Sequence, residues 1–414
     1  MSHALSALLV MLLTLGLSGC TQLRTAPSPA TTKAVTQSVD VLLVAYDHGD
    51  GQAFRTLLPE LQERHIRWHL IAFGPAAELF SGSEQITLLD SYVPPEEALQ
   101  WKNNRRAELP AALTARLFDQ FRPTLVLSGM AHAAQAKLVR QWWQRGAWTI
   151  AFYDNYAPPA DQHWIEPWWE VAPPLEELWV PDHALVSHFP AQTGRSKGVI
   201  AIEHPTLTQW TMQQATEDRT ALRQTLGLDK RPVVLLAGGY GETYMESFDL
   251  VAQAARLRPD LQWLLAPHPR TKGADEASLL ARMRPAPIRM VTDIPTVRLA
   301  SVADLVIVHR STVGTLANQL GIPTLFVQPH AQPSSDKQAR KYTINSQQSL
   351  LNTIHRELDI AHSHQHKRAP VALPTIVSLL EKRLQENTSP PPILESIEDS
   401  AAAQSPASIV PPKG

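Results

Sequence analysis

Two apolar runs in the second half of the chain restrict its fold more than any other feature. Residues 261–271, LQWLLAPHPRT, are apolar through Ala266 and then turn polar at His268, Pro269, Arg270 and Thr271. Residues 303–312, ADLVIVHRST, repeat the pattern and end in His309, Arg310, Ser311 and Thr312. Continuous apolar runs of strand length read as strands covered on both faces, the habit of parallel sheets flanked by helices. Polar residues gathered at the carboxyl ends of such strands mark the place where open α/β sheets take ligands. A helical stretch, TVGTLANQLGIP, and a strand-like TLFVQP come after the second run.

The same rhythm runs through the rest of the chain. Strands are expected at residues 40–46, 67–73, 86–90, 123–128, 148–153, 178–181 and 198–202, with a helix over 53–64 and a mostly helical 96–121 that Pro110 breaks in two. After a break at Glu203-His204-Pro205, a helix over 217–226 precedes a strand at 232–237, which runs into Gly238-Gly239-Tyr240-Gly241. Further strands end at Ala266, Val291, Val308 and Val327, and amphipathic helices over 349–358 and 373–386 are expected to close the second half. Strands alternating with helices at this spacing predict α/β architecture: two Rossmann-like, doubly wound domains facing across a cleft, residues 39–200 and 201–386. A length of 414 residues is ample for two cores, and a formal charge of −2 gives no nucleic-acid footprint.

The N-terminus carries a different signal. Residues 4–17, ALSALLVMLLTLGL, hold no charge, which is the length of a signal-peptide core and short for a membrane span. They lead into Leu17-Ser18-Gly19-Cys20, which resembles a bacterial lipobox and contains the single cysteine of the chain. That resemblance implies a signal peptide over 1–19, cleavage before Cys20 and lipid on its thiol, although Met1-Ser2-His3 lacks the usual basic residue. It places the protein in the cell envelope. Thr21, rather than an aspartate, comes after the cysteine and favours the outer membrane over the inner one. Residues 20–38, rich in Thr, Ala, Pro and Ser, read as a tether, and the biased, aperiodic 387–414 as a disordered tail.

The body also carries a resemblance. The glycine turn opening the second domain, the HPR after a middle strand and the pattern ST-x-x-x-x-A-x-x-x-G-x-P over 311–323 resemble GT-B glycosyltransferases, nearest to the polysaccharide-assembly transferases and the similarly folded UDP-sugar 2-epimerases. The resemblance implies a donor site on the second domain. Gly238, Gly239, Gly241 and Glu242 would lie near a pyrophosphate, since glycine lets backbone approach phosphate oxygens; a tight turn with no ligand explains them equally. His268 and Arg270 would contact phosphate or sugar, with His268 also a catalytic candidate. Ser311 and Thr312 would meet phosphate while capping the next helix. Related domains place a ribose-binding glutamate four or five residues after this Ser/Thr pair. Here the matching stretch is Thr315-Leu316-Ala317-Asn318, with no carboxylate, and Asn318 could stand in only if the helix were differently registered.

The first domain would hold the acceptor and a base. Asp47 and His48 end the first strand and read either as a base with its orienting carboxylate or as a helix cap. His132 and Asp154 come after later strands, and both are acceptor-side candidates. Seven of the eleven tryptophans fall between Trp142 and Trp179. Within that stretch Trp164 and Trp168 suit sugar stacking or, equally, a satellite hydrophobic cluster. Nothing in the sequence calls for a metal or an organic cofactor. Three functions fit: a membrane-anchored glycosyl or glycerophosphoryl transferase with a sugar-nucleotide or lipid-linked donor and a glycan acceptor, a non-catalytic carbohydrate-binding scaffold, or a UDP-sugar 2-epimerase relative.

Overall fold

The computed structural model describes residues 36–156, 163–171, 175–189, 198–241, 243–330, 343–344, 346–363 and 373–386. The leader, Cys20, Glu242 and the tail over 387–414 lie outside the described residues. Among those described, the strands form two fully parallel sheets, one per lobe. The first lobe contains β1 (Gln37–Ala45), β2 (Trp68–Ala72), β3 (Ile86–Leu88), β4 (Phe121–Gly129), β5 (Trp148–Phe152), β6 (Glu177–Val180) and β7 (Val199–Ala201). They lie in the order β3-β2-β1-β4-β5-β6-β7. The second lobe contains β8 (Val233–Ala237), β9 (Gln262–Ala266), β10 (Arg289–Met290), β11 (Leu305–Val308), β12 (Thr324–Val327) and β13 (Thr343–Ile344), in the order β10-β9-β8-β11-β12-β13.

The continuous apolar runs reflect the covering of both faces of each sheet. Alternate residues of β1 serve two cores, Val41, Leu43 and Ala45 on one face and Leu42 and Val44 on the other. In β8, Val234 and Leu236 face one way and Val233, Leu235 and Ala237 the other. Each such aliphatic side chain contributes about 1.5–3 kcal/mol of burial, and a polar residue buried among them is hydrogen-bonded, as His69 Nε2 is with Thr87 Oγ1 at 2.8 Å. The strand order reverses direction between β1 and β4 and again between β8 and β11, and a crevice opens at such switch points, beyond the carboxyl ends of the strands.

The architecture is the one expected, with local differences. β1 starts at Gln37 rather than beyond residue 38. The helix expected over 217–226 is present as Arg219–Thr225, capped by Asp218, and a further helix, Pro205–Thr216, precedes it where none was expected; between them Glu217 is held by Arg298 (2.7 Å). Pro110 does separate Pro95–Asn103 from Ala111–Gln120. The last helix, Ile376–Glu386, belongs to the first lobe rather than closing the second. Its Ile376, Val377 and Leu380 enter the core with Leu57, Leu61 and Leu70, and Arg64 pairs with Glu381 and Arg383 with Glu177. The chain therefore passes between lobes twice, at 203–205 and again before Pro374, whose carbonyl accepts from Glu203 N at 3.0 Å.

Candidate active site

The first-lobe wall begins where β1 ends. Asp47 is extended (φ −96°, ψ 168°), so its carboxylate folds back over the helix His48–Glu63 and accepts from His48 N at 2.8 Å. Asp50, in the first turn, returns the bond by accepting from Asp47 N (2.8 Å) and Tyr46 N (3.2 Å), and Gln135 Nε2 donates to it at 2.8 Å. The other oxygen of Asp47 accepts from Arg105 Nη2 at 2.6 Å. Arg105 also donates to Ala131 O at 2.9 Å and lies 5.4 Å from the Tyr46 ring centroid and 5.9 Å from that of Trp164. Asp154 lies just beyond β5, and its carboxylate rests on the backbone of Gly49. A Cβ at Gly49 would lie 1.7 Å from Asp154 Oδ2, so the contact requires glycine.

Three carboxylates this close cannot all be charged in the same way. Burial pushes Asp47 up, but the Arg105 guanidinium and the His48 N–H outweigh it and hold the group below its usual range. Burial together with Asp154 and Asp47 raises Asp50 well above the ordinary value, against the opposing bonds from Gln135 and Tyr46. Burial, then Asp47, pushes Asp154 up to about 7. Asp47 is thus the fixed anion and Asp154 the group that exchanges a proton near neutrality.

Two acceptor-side candidates withdraw into the core. His132 is fully buried: its Nδ1 accepts from Ala134 N (2.9 Å), its Nε2 is 3.1 Å from Asn104 O, and its ring sits 4.4 Å from Tyr46. Burial lowers it to about 3, and it serves as a neutral helix cap with no face for a ligand. Trp168 is likewise fully buried in the first-lobe core, which removes it as a stacking platform. Trp164 is half-buried, stacks on Tyr153 at 5.9 Å and lies 5.9 Å from the Arg105 guanidinium, which brings it to the first-lobe wall. Asp47 and His48 meet through the backbone N–H of His48, which is the cap expected of them, and no bond joins Asp47 to the imidazole.

The second-lobe wall is built from the ends of β8, β9 and β11. A Cβ at Gly238 would lie 2.6 Å from His268 N, and one at Gly239 would lie 2.7 Å from the Tyr244 ring. The glycines are needed for this close packing in any case. Gly241 has φ +101°, a conformation open to glycine and costly for other residues. His268 Nδ1 accepts from Arg270 N at 3.1 Å, which assigns the proton of the neutral ring to Nε2. Burial, then the neighbouring His48, lowers His268 to about 4. Tyr240 meets the His268 ring edge-on at 4.7 Å, and the Arg270 guanidinium lies 5.2 Å from the Tyr240 centroid. Ser311 caps the helix Thr312–Gln319, its Oγ accepting from Val313 N at 3.3 Å, and Thr312 opens that helix. Leu316 points into the core and is 2% exposed, whereas Thr315 is half-buried.

The two walls face one another. Asp47 and His48 both act electrostatically on His268, Arg270 acts on Tyr46, and Asp47 and Arg105 act on Tyr240. Direct bonds also join the halves: Tyr156 OH to Gln319 Oε1 (3.2 Å) and Gln52 Nε2 to Gln209 Oε1 (3.2 Å). The crevice so formed has the anionic Asp47 and Arg105 on one side and the neutral imidazole of His268 with Arg270 and Tyr240 on the other. Arg105, Asp50, Gln135 and Tyr240 are not among the residues that sequence reasoning singles out. Arg105 sits in an irregular stretch whose partner is 58 positions away, and only the fold brings the two together.

These features define a two-lobed α/β protein of GT-B-like fold. No protein-family model matches the sequence, and no curated protein matches it. Solved structures do. UDP-GlcNAc 2-epimerase from Neisseria meningitidis bound to UDP-GlcNAc aligns over 85% of this chain and 99% of that one, with a TM-score of 0.61 and 13% identity. UDP-N-acetylglucosamine 2-epimerase from Rickettsia bellii aligns over 84% and 95%, with a TM-score of 0.57 and 10% identity. UDP-GlcNAc 2-epimerase from Methanocaldococcus jannaschii aligns over 85% and 99%, with a TM-score of 0.55 and 12% identity. At such identities the likeness establishes the fold.

Proposed function

We propose that this chain is a membrane-anchored, lipoprotein-type transferase of the cell envelope that moves a glycosyl or glycerophosphoryl group onto a glycan in the cleft. The observation that carries the reading is Asp154, a carboxyl just beyond the end of β5 that is raised to about 7. In the step proposed, Asp154 takes the proton of an acceptor hydroxyl as that oxygen bonds to the transferred group. The donor's phosphate departs with the bonding electrons. Arg270, the Nε2–H of His268 and the backbone at Gly238, Gly239, Ser311 and Thr312 meet its charge. Asp47, held anionic by Arg105, keeps the proton affinity of Asp154 high rather than acting as the base. A structural neighbour is a UDP-GlcNAc complex, which supports a sugar-nucleotide donor. The Cys20 lipobox, which would export the protein, and the buried Leu316 support a lipid-linked donor instead.

Calorimetric titration of the full chain in detergent with UDP-, CDP- and GDP-sugars and with a polyprenyl-diphosphate sugar tests this reading. Binding of one class, weakened by His268→Ala, is expected; silence from all of them leaves the non-catalytic scaffold. Labelled palmitate should enter the wild type and not Cys20→Ala. The field of Asp47 at His268 favours a second reading, an epimerase relative, because a 2-epimerase needs a carboxylate near that histidine. Conversion of UDP-GlcNAc to its C2 epimer without an acceptor would select it.

A further inference from the structure

The residues after β5 do more than deliver Asp154. Its main-chain oxygen is 3.2 Å from Nε2 of His204, which lies in the crossover between lobes. His204 Nδ1 accepts from Thr206 N at 3.2 Å, so Nε2 carries the proton and donates to Asp154 O. Two residues on, Tyr156 stacks on the same imidazole at 5.6 Å, packs against the second-lobe core and donates to Gln319 Oε1 at 3.2 Å. A continuous set of contacts thus runs from the second-lobe helix Thr312–Gln319 through Tyr156 and His204 to Asp154. On the other side the Asp154 carboxylate has no room to spare against Gly49.

We infer that Tyr156 and His204 are positioning residues that make the seat of Asp154 on Gly49 depend on where the second lobe is held. The inference rests on Asp154 as the first-lobe base. When the second lobe moves, Tyr156 moves with it, and the two intervening peptides shift the carboxyl toward or away from the first turn of His48–Glu63. The base is then fully seated only when the donor-side lobe is in place, which withholds proton abstraction from an acceptor bound alone. Among the described residues, the titratable groups around Asp154 are Asp47 and Asp50 on that turn, Arg105 beside it and His204 at the crossover. None of them lies on the second lobe, so a neutral substitution there acts on Asp154 through position alone.

The test needs no substrate. The full chain is labelled with 13C at the aspartate carboxyls, the Asp154 resonance is assigned by its loss in Asp154→Asn, and its titration is tracked in the wild type, Tyr156→Phe and Gln319→Leu. The wild-type midpoint is expected near neutrality, falling by about one unit in both variants as the loosened carboxyl gains water. Gln52→Ala cuts a second bond between the halves and should leave the midpoint in place; an equal shift there would count against the route through Tyr156. A wild-type midpoint near neutrality that neither Tyr156→Phe nor Gln319→Leu moves overturns this inference alone. A wild-type midpoint at an ordinary carboxylate value removes Asp154 as the base and overturns the transferase mechanism with it.

Discussion

The two walls of the crevice occupy equivalent places in two similar sheets, yet they are held together differently. The first-lobe wall is internally bonded: Asp47, Asp50, Gln135 and Arg105 satisfy one another and the backbone around them. On the second-lobe wall Arg270 is exposed and rests on an aromatic ring, and His268 is held by one backbone bond and an edge-on tyrosine. Groups that spend their bonds on each other set a local charge state, whereas groups left with free donors are available to a ligand. The first wall therefore tunes and the second one binds. Substitutions on the first should show up mainly in stability and titration, and those on the second mainly in affinity.

The largest expected effect is at Gly129, the last residue of β4. A Cβ there would lie 1.8 Å from Asp50 Oδ2 and 2.5 Å from Asp50 Cβ, so Gly129→Ala must displace the carboxylate that organises the turn. Urea unfolding should register a loss of about 3 kcal/mol, as for overpacked cores. A neutral result would mean that the first wall is looser than its bonding indicates. Next comes Arg105→Ala, which leaves the partly shielded Asp47 without its cation. A cost of about 2 kcal/mol is expected, below the figure for fully buried pairs because the two side chains are 18% and 23% exposed.

Asp154→Asn should act with the opposite sign. The folded protein holds this carboxyl at about 7, above the unfolded value of 3.8. The stability it contributes is complete below the unfolded value and is lost as pH rises from there through 7. The asparagine variant should therefore be more stable than wild type at pH 8 by about 1 kcal/mol, read as a higher unfolding temperature and allowing for partial exposure, and the gain should vanish near pH 4. The smallest stability effect belongs to Arg270→Ala, within about 0.5 kcal/mol, together with a roughly tenfold loss of affinity for a phosphate-bearing donor. Unfolding of that variant at lower denaturant would show that the second wall is structural too, and the contrast between the walls would fall.

His268 and Arg270 are legible because both sit in one short motif at a strand end, and local chain geometry alone carries them to the crevice. Asp47 is legible in place and ambiguous in role, since a residue after a strand reads equally as a cap or a base, and here the cap accounts for its bonds to the backbone. His132 and Trp168 have the right positions in the pattern, but their orientation depends on Tyr46 and on the first-lobe core, which periodicity does not report. The helix Ile376–Glu386 is legible as amphipathic, yet its partner is the first lobe and not the second. An apolar stripe records that a face must be covered without recording by what.

By itself the sequence determined the features that local chemistry dictates. Strands apolar on both faces demand parallel sheets between helices, turn glycines and prolines place the ends, and the polar residues beyond those ends mark the crevice. Tertiary structure decided everything that depends on charges meeting at a distance along the chain. Arg105 finds Asp47 across 58 residues, and Asp154 settles on Gly49 across about a hundred. These meetings leave Asp47 anionic and raise Asp154 to about 7. A proton affinity is set by the water removed and the charges brought near, and both are properties of the folded neighbourhood rather than of the aspartate.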